Sequence, residues 1–167
     1  MGACISIKNI DTDEIPEFGL IQNKKYKCKI VNIYDGDTCD ILLKEYNRYF
    51  IVRIRLSGID TPEIAPPLNQ ENRENEVILA KRARNYFINI TTNQHINIDN
   101  YEITKKDIKN LLQNNKKIIF FTYEKKEKYG RALGILSLKH KININELLIK
   151  EGYANNYNGG TKNKNFN

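Results

Sequence analysis

Residues 25–58, KYKCKIVNIYDGDTCDILLKEYNRYFIVRIRLSG, decide the fold. Tyr26, Cys28 and Ile30 alternate with lysines at the period of a half-buried strand. "TCDILLK" (38–44) and "YFIVRIRLSG" (49–58) read as two more strands. In the second of these, Phe50, Val52, Ile54 and Leu56 share one face, and Ile51, Arg53 and Arg55 share the other. Asp-Gly between the first two strands is a strong hairpin signal, because glycine takes a positive φ without steric cost. Read alone, "YDGDT" (34–38) is a turn; whether Asp35 or Asp37 also holds a metal depends on what the rest of the chain brings to it.

Outward from this meander, the period becomes helical between Gln70 and Thr92, with Leu79, Ala83, Tyr86 and Ile90 on an apolar face and Lys81, Arg82 and Arg84 on a solvated one. "TKKDIKNLLQNN" (104–115) predicts a short helix with Thr104 and Asp107 as a capping box. "KKIIFFTYE" (116–124) and "RALGILSL" (131–138) are two further strands joined by a charged loop, and "NINELLIKEGYA" (143–154) is a closing helix. Residues 1–24 lack sustained periodicity and read as an N-terminal arm, and 159–167 as a flexible tail. Five strands, the first three consecutive, predict an α+β fold: a small closed barrel of OB type with about three packed helices.

Composition bounds the function. The chain has 167 residues and a net charge of +7, which favours polyanionic partners such as nucleic acid. Three cysteines, none in a CxxC, argue against both a disulfide framework and a zinc site and fit a reducing compartment. No run approaches the roughly 18 apolar residues of a membrane span, and no secretory h-region is evident.

A hairpin closing near Asn47 sets Asp37 against "RLSGIDTPE" (55–63), which offers Asp60, the carbonyl of Thr61 and Glu63. Two carboxylates and a carbonyl, with no sulfur or imidazole, make a hard oxygen site suited to Ca²⁺ or Mg²⁺. With Arg55 beside it, such a site suits phosphodiester cleavage, in which cations stabilise developing negative charge and Glu63 is the natural general base. A surface carboxylate for each acid and a structural ion pair for Arg55 are the plain alternatives.

"DGDT", "RLSGIDTPE", "EKYGRALGIL" and "NELLIKEGYANNY", in that order, resemble the staphylococcal (micrococcal, thermonuclease-like) nuclease family over about residues 25–158. The resemblance implies a five-stranded OB barrel with three helices and a Ca²⁺-dependent endonuclease acting on DNA and RNA and leaving 3′-phosphates. It implies that Asp37, Asp60 and the Thr61 carbonyl bind Ca²⁺, that Glu63 activates water, and that Arg55 and Arg131 clamp the phosphate. Arg55 rather than Arg53 takes this part because it stands five residues before the Asp of "DTPE"; Arg53 is expected to face a neighbouring phosphate or solvent. Lys128, Tyr129 and Tyr157 match nucleotide-contacting positions, so single-stranded or frayed nucleic acid is the expected partner, and a monomer the expected state. The chain is longer than the family pattern at about 91–115, an extra helical insertion. The main rival function is a catalytically silent OB module that binds nucleic acid without cutting it.

"MGACIS" (1–6) fits the signal for N-myristoylation of Gly2. One acyl chain attaches only marginally, and Asp11, Asp13 and Glu14 exclude a polybasic supplement, so Cys4 is the candidate for a second, palmitoyl anchor. The expectation is tethering to the cytoplasmic face of a membrane.

Overall fold

The computed structural model describes residues 19–45 and 47–160, without the side chain of His140. Gly2 and Cys4 lie outside them. Strands β1 (Lys25–Ile33), β2 (Thr38–Glu45), β3 (Arg48–Leu56), β5 (Ile119–Lys126) and β6 (Ala132–Ser137) close into a barrel in the order β1-β2-β3-β6-β5. The neighbours are antiparallel except β3 and β6, which run parallel over Ile54–Leu56. The meander forms as the alternation predicts: Tyr26, Cys28 and Ile30, then Cys39, Ile41 and Leu43, then Ile54 and Leu56 fill the interior, where Ile119, Phe121 and Leu136 meet them. Burying such a side chain stabilises by roughly 1.5–3 kcal/mol. Gly134 permits the tight β5–β6 approach, since a Cβ there would lie 2.1 Å from the Thr122 carbonyl oxygen.

Three α-helices complete the described fold: α1 (Arg73–Thr91), α2 (Lys105–Gln113) and α3 (Ile144–Lys150). The capping box of α2 is present, with the Thr104 side chain accepting from Asp107 N–H and the Asp107 carboxylate accepting from Thr104. Ile108 and Leu112 of α2 are buried in the main core, so segment 91–115 packs on the barrel as part of it. None of the described helices is long and apolar enough to cross a membrane.

The buried face of α1 is rotated from the one predicted. Ala80, Ala83, Phe87, Ile88 and Thr91 face the core, while Leu79, Tyr86 and Ile90 are only half-buried. Arg84, expected in solvent, is 4% exposed, and burial lowers its pKa. The reason is the polypeptide that follows α1, whose carbonyls turn inward and require donors. Arg84 donates to the Ile103 carbonyl (3.3 Å), and Asn85 Nδ2 to those of Ile98 (3.1 Å) and Asn100 (2.9 Å). Asn89 exchanges two bonds with the Ile96 backbone, at 2.8 and 2.9 Å.

A two-residue pairing outside the barrel positions the end of the chain. β4 (Ile59–Asp60) pairs with β7 (Asn155–Asn156), and Tyr157 N–H then donates to the Gly58 carbonyl at 2.9 Å. The stacked rings of Tyr86 and Tyr153, 4.3 Å apart, hold the same region to α1.

Candidate nucleic-acid cleavage site

The turn after β1 is built by Asp35. Its Oδ1 accepts from the backbone N–H of Asp37 (3.0 Å) and Thr38 (2.7 Å), an Asx turn. Gly36 is required there for space and not for a positive φ: a Cβ would lie 2.9 Å from Thr61 Cγ2 and 3.0 Å from Ala83 Cβ. The turn therefore seats against the Thr61 segment and directs Asp37 inward, so the turn reading of "DGD" and the inward carboxylate are one feature.

Register brings Arg55 opposite Thr38, and its guanidinium joins both candidate ligands. Nη1 donates to Asp37 Oδ1 and Nη2 to Asp60 Oδ1, each at 2.7 Å. Asp37, Asp60 and Thr61 are all buried, at 2%, 3% and 3% exposure. Asp37 also accepts from Thr38 Oγ1 (2.8 Å) and, more weakly, from Thr61 N–H (3.3 Å). Burial, reinforced by Asp35, pushes the Asp37 carboxyl up to about 7 despite Arg55. Burial works against the Arg55 cation, yet Asp37 and Asp60 outweigh it and hold its pKa above the ordinary value.

Arg131 enters from the start of β6. Its Nε and Nη2 form a fork with Glu127, at 2.6 and 2.8 Å, and Nη1 reaches Thr38 Oγ1 at 3.4 Å. The fork lowers the Glu127 pKa. A polar chain thus runs from Arg131 through Thr38, Asp37 and Arg55 to Asp60. Glu127 was not among the residues singled out from sequence; its i, i+4 spacing to Arg131 across a tight loop was the available signal.

One open cleft of about 640 Å³ is lined by Asp37, Arg55, Thr61, Glu63, Arg131, Lys128, Tyr129 and Tyr157. Asp60 lies behind it, held by Arg55. Glu63 is exposed at the rim, its backbone N–H donating to Glu76 Oε1 at 3.1 Å. Tyr129 is 72% exposed, with Lys128 Nζ 4.8 Å from its ring centre. Tyr34 and Lys105 also line the cleft, and neither was singled out from sequence. Lys105 comes from the first turn of α2, so segment 91–115 reaches the cleft. Arg53 faces solvent as expected, its side chain 54% exposed, and is anchored there: Nε binds Asp40 Oδ1 at 3.0 Å and the guanidinium lies over the Tyr34 ring at 4.4 Å.

The donor set fits a hard cation. Among the described residues, no group of three or more His, Cys, Asp or Glu side chains converges as a metal site. The candidate donors are instead two buried carboxylates and one backbone carbonyl, all oxygen. Thr61 Oγ1, buried beside them, has no hydrogen-bond partner.

Fold and cleft define an OB-type barrel protein in which two buried carboxylates share one arginine beside an open cleft. A model of the family described as staphylococcal nuclease homologue matches residues 53–167, more than half of the chain, and the chain belongs to that family. It is also 34% identical over 140 residues, 81% of its length, to an uncharacterized protein of Methanocaldococcus jannaschii. The chain spans 61% of the length of that relative.

Proposed function

We propose that the protein is a Ca²⁺-dependent endonuclease that hydrolyses phosphodiester bonds of DNA or RNA and leaves 3′-phosphates. The observation that carries this reading is the single guanidinium of Arg55 joined at 2.7 Å to both Asp37 and Asp60, in a cleft that Arg131 and Glu63 also line. Asp37, Asp60 and the Thr61 carbonyl would hold the cation, which when bound supplies a fixed positive charge beside the scissile phosphate.

The remaining work falls to side chains. Arg55 and Arg131 present N–H donors to the phosphoryl oxygens, whose negative charge grows as the transition state forms. Glu63, at the solvent rim, accepts a proton from the attacking water as its oxygen bonds to phosphorus and the bond from phosphorus to O5′ breaks. The departing O5′ takes up a proton from solvent. Arg131 exchanges its fork with Glu127 for one with phosphate, and Thr38 steadies it during that exchange. Tyr129 and Tyr157 offer rings to unstacked bases, so single strands and frayed ends are the preferred substrate, acted on by a monomer.

The test is incubation of the purified protein with single-stranded and duplex DNA and with RNA, in calcium and in excess chelator, followed by analysis of product ends. Calcium-dependent 3′-phosphate ends, formed faster on single strands, are expected. Undiminished cleavage in chelator would remove the metal from the mechanism. Tight binding with no cleavage under any metal would make the protein a silent binding module.

A further inference from the structure

The proposed base is held from behind by a second carboxylate. Glu63 lies in the connection 61–72 between β4 and α1, and Glu76 reaches back to it from the first turn of α1. Glu76 Oε1 accepts the Glu63 backbone N–H at 3.1 Å, and its Oε2 accepts from Gln70 Nε2, so one side chain ties both halves of the connection to the helix. Gln70 N–H donates to the Pro67 carbonyl at 3.1 Å, and Arg73 Nε to that of Pro66 at 3.3 Å, which folds the intervening turn back on α1. Glu76 shares a helix face with Ala80, Ala83 and Phe87, four, seven and eleven residues on, the face that docks on the barrel. On that face Ala83 abuts Gly36, where an added Cβ would lie 3.0 Å from its own. One helix therefore touches the turn that carries Asp37 and, about two turns earlier, the backbone of Glu63.

We infer that Glu76 is a positioning residue for cleavage: it sets where the Glu63 carboxylate stands relative to Asp37 and Asp60. The inference rests on reading the cleft as a cleavage site with Glu63 as its base. A general base must stand within hydrogen-bond reach of the water it deprotonates, about 2.6–3.2 Å, and a misplacement of about 1 Å can cost about a hundredfold in rate. Glu63 is exposed at the rim, so the reach of its carboxylate is governed by its backbone. On the barrel side, Pro62 is buried and Thr61 N–H binds Asp37 Oδ2 at 3.3 Å. At Glu63 itself the anchor is Glu76. Glu76 is only half-buried, so when its side chain is truncated water takes the vacated place at the Glu63 N–H: the hydrogen bond is replaced, but the tether to α1 is lost. The role needs an acceptor oxygen and no charge, which separates it from any electrostatic action of a second carboxylate on the base.

The experiment compares Glu76→Ala, which removes the acceptor, with Glu76→Gln, which keeps one oxygen for the Glu63 N–H and removes the charge. On single-stranded DNA in calcium, Glu76→Ala should lower the turnover number by about 10- to 100-fold and leave KM within about twofold of wild type, and Glu76→Gln should restore turnover to within about threefold. A double-mutant cycle reads the route of the effect. Because Glu76 acts through Glu63, the double variant Glu63→Gln, Glu76→Ala should be no more than about twofold slower than Glu63→Gln alone. NMR without nucleic acid supplies a readout independent of activity: the Glu63 amide proton resonance should move upfield in Glu76→Ala and move less in Glu76→Gln. Losses that multiply in the double variant, equal losses in the alanine and glutamine variants, or an unmoved Glu63 amide proton each overturn the positioning role. A wild type that cuts while Glu76→Ala cuts as fast overturns that role alone; a wild type that cuts nothing overturns the reading of the cleft and this role with it.

Discussion

Replacing Arg55 by methionine should destabilise the protein in chelator and make it markedly more responsive to calcium. The guanidinium is the shared counter-ion of two carboxylates whose side chains are 2% and 4% exposed. Its removal leaves Asp37 with the Thr38 hydroxyl and the weak Thr61 N–H, and takes a charged partner from Asp60. Breaking a buried ion pair from one side costs about 3–5 kcal/mol where the remaining carboxylate stays charged, so the comparison is made at a pH well above the value of about 7 to which burial already pushes Asp37. With a urea slope of about 2 kcal/mol/M, the midpoint should fall by roughly 1.5–2.5 M. A divalent cation bound by the two carboxylates, now without their guanidinium partner, at a hundredfold excess over its Kd would return about 2.7 kcal/mol. Urea denaturation of wild type and variant, each in chelator and in calcium, reads both effects without reference to activity. A midpoint shift below about 0.5 M in chelator would mean that Arg55 is not what holds these carboxylates. Full destabilisation with no recovery in calcium would refute the hard-cation reading of the site.

Glu63→Gln should lower the turnover number by roughly 10²- to 10⁴-fold while leaving calcium-dependent thermal stabilisation in place, since the exposed rim carboxylate is assigned as base and not as ligand; a near-normal rate reassigns the base. Gly36→Ala should cost about 1–3 kcal/mol in urea denaturation, because its Cβ would press on Thr61 and Ala83 within 3.0 Å, and cleavage should fall with the displacement of Thr61. For the N-terminal proposal, expression in a eukaryotic cell should give an N-terminal peptide with the added mass of an acyl chain on Gly2 and a second on Cys4. Gly2→Ala and Cys4→Ser should move the protein from membrane to soluble fraction, and an unmodified Gly2 ends the idea.

What the sequence determined by itself was what nearest neighbours along the chain control. Side-chain alternation with a period of two set β1, β2 and β3, because a strand buried on one face repeats that burial at every second residue. The Thr104–Asp107 box was legible for the same reason, its partners being three residues apart. "DGDT" and "DTPE" supplied the residue types of the cleft. The register between their strands, which the hairpin fixes, set Arg55 opposite Thr38.

Only the tertiary structure decided where long-range partners are required. The polar inner face of α1 reads as solvated in a helical plot, but Arg84 and Asn85 serve carbonyls 13 to 19 residues away. No local pattern records those acceptors. Gly36, legible as a turn glycine, is held by the approach of Thr61 and Ala83, two segments that meet it only when the barrel closes and α1 docks. The engagement of Arg131 with Thr38, 93 residues apart, arises because antiparallel pairing of β2 and β3 sets Thr38 opposite Arg55 while parallel pairing of β3 and β6 brings the start of β6 alongside. Local periodicity is written into the chain because each residue's face follows from its neighbours; charge pairing and close backbone approach depend on closing loops of tens of residues, and folding alone supplies that geometry.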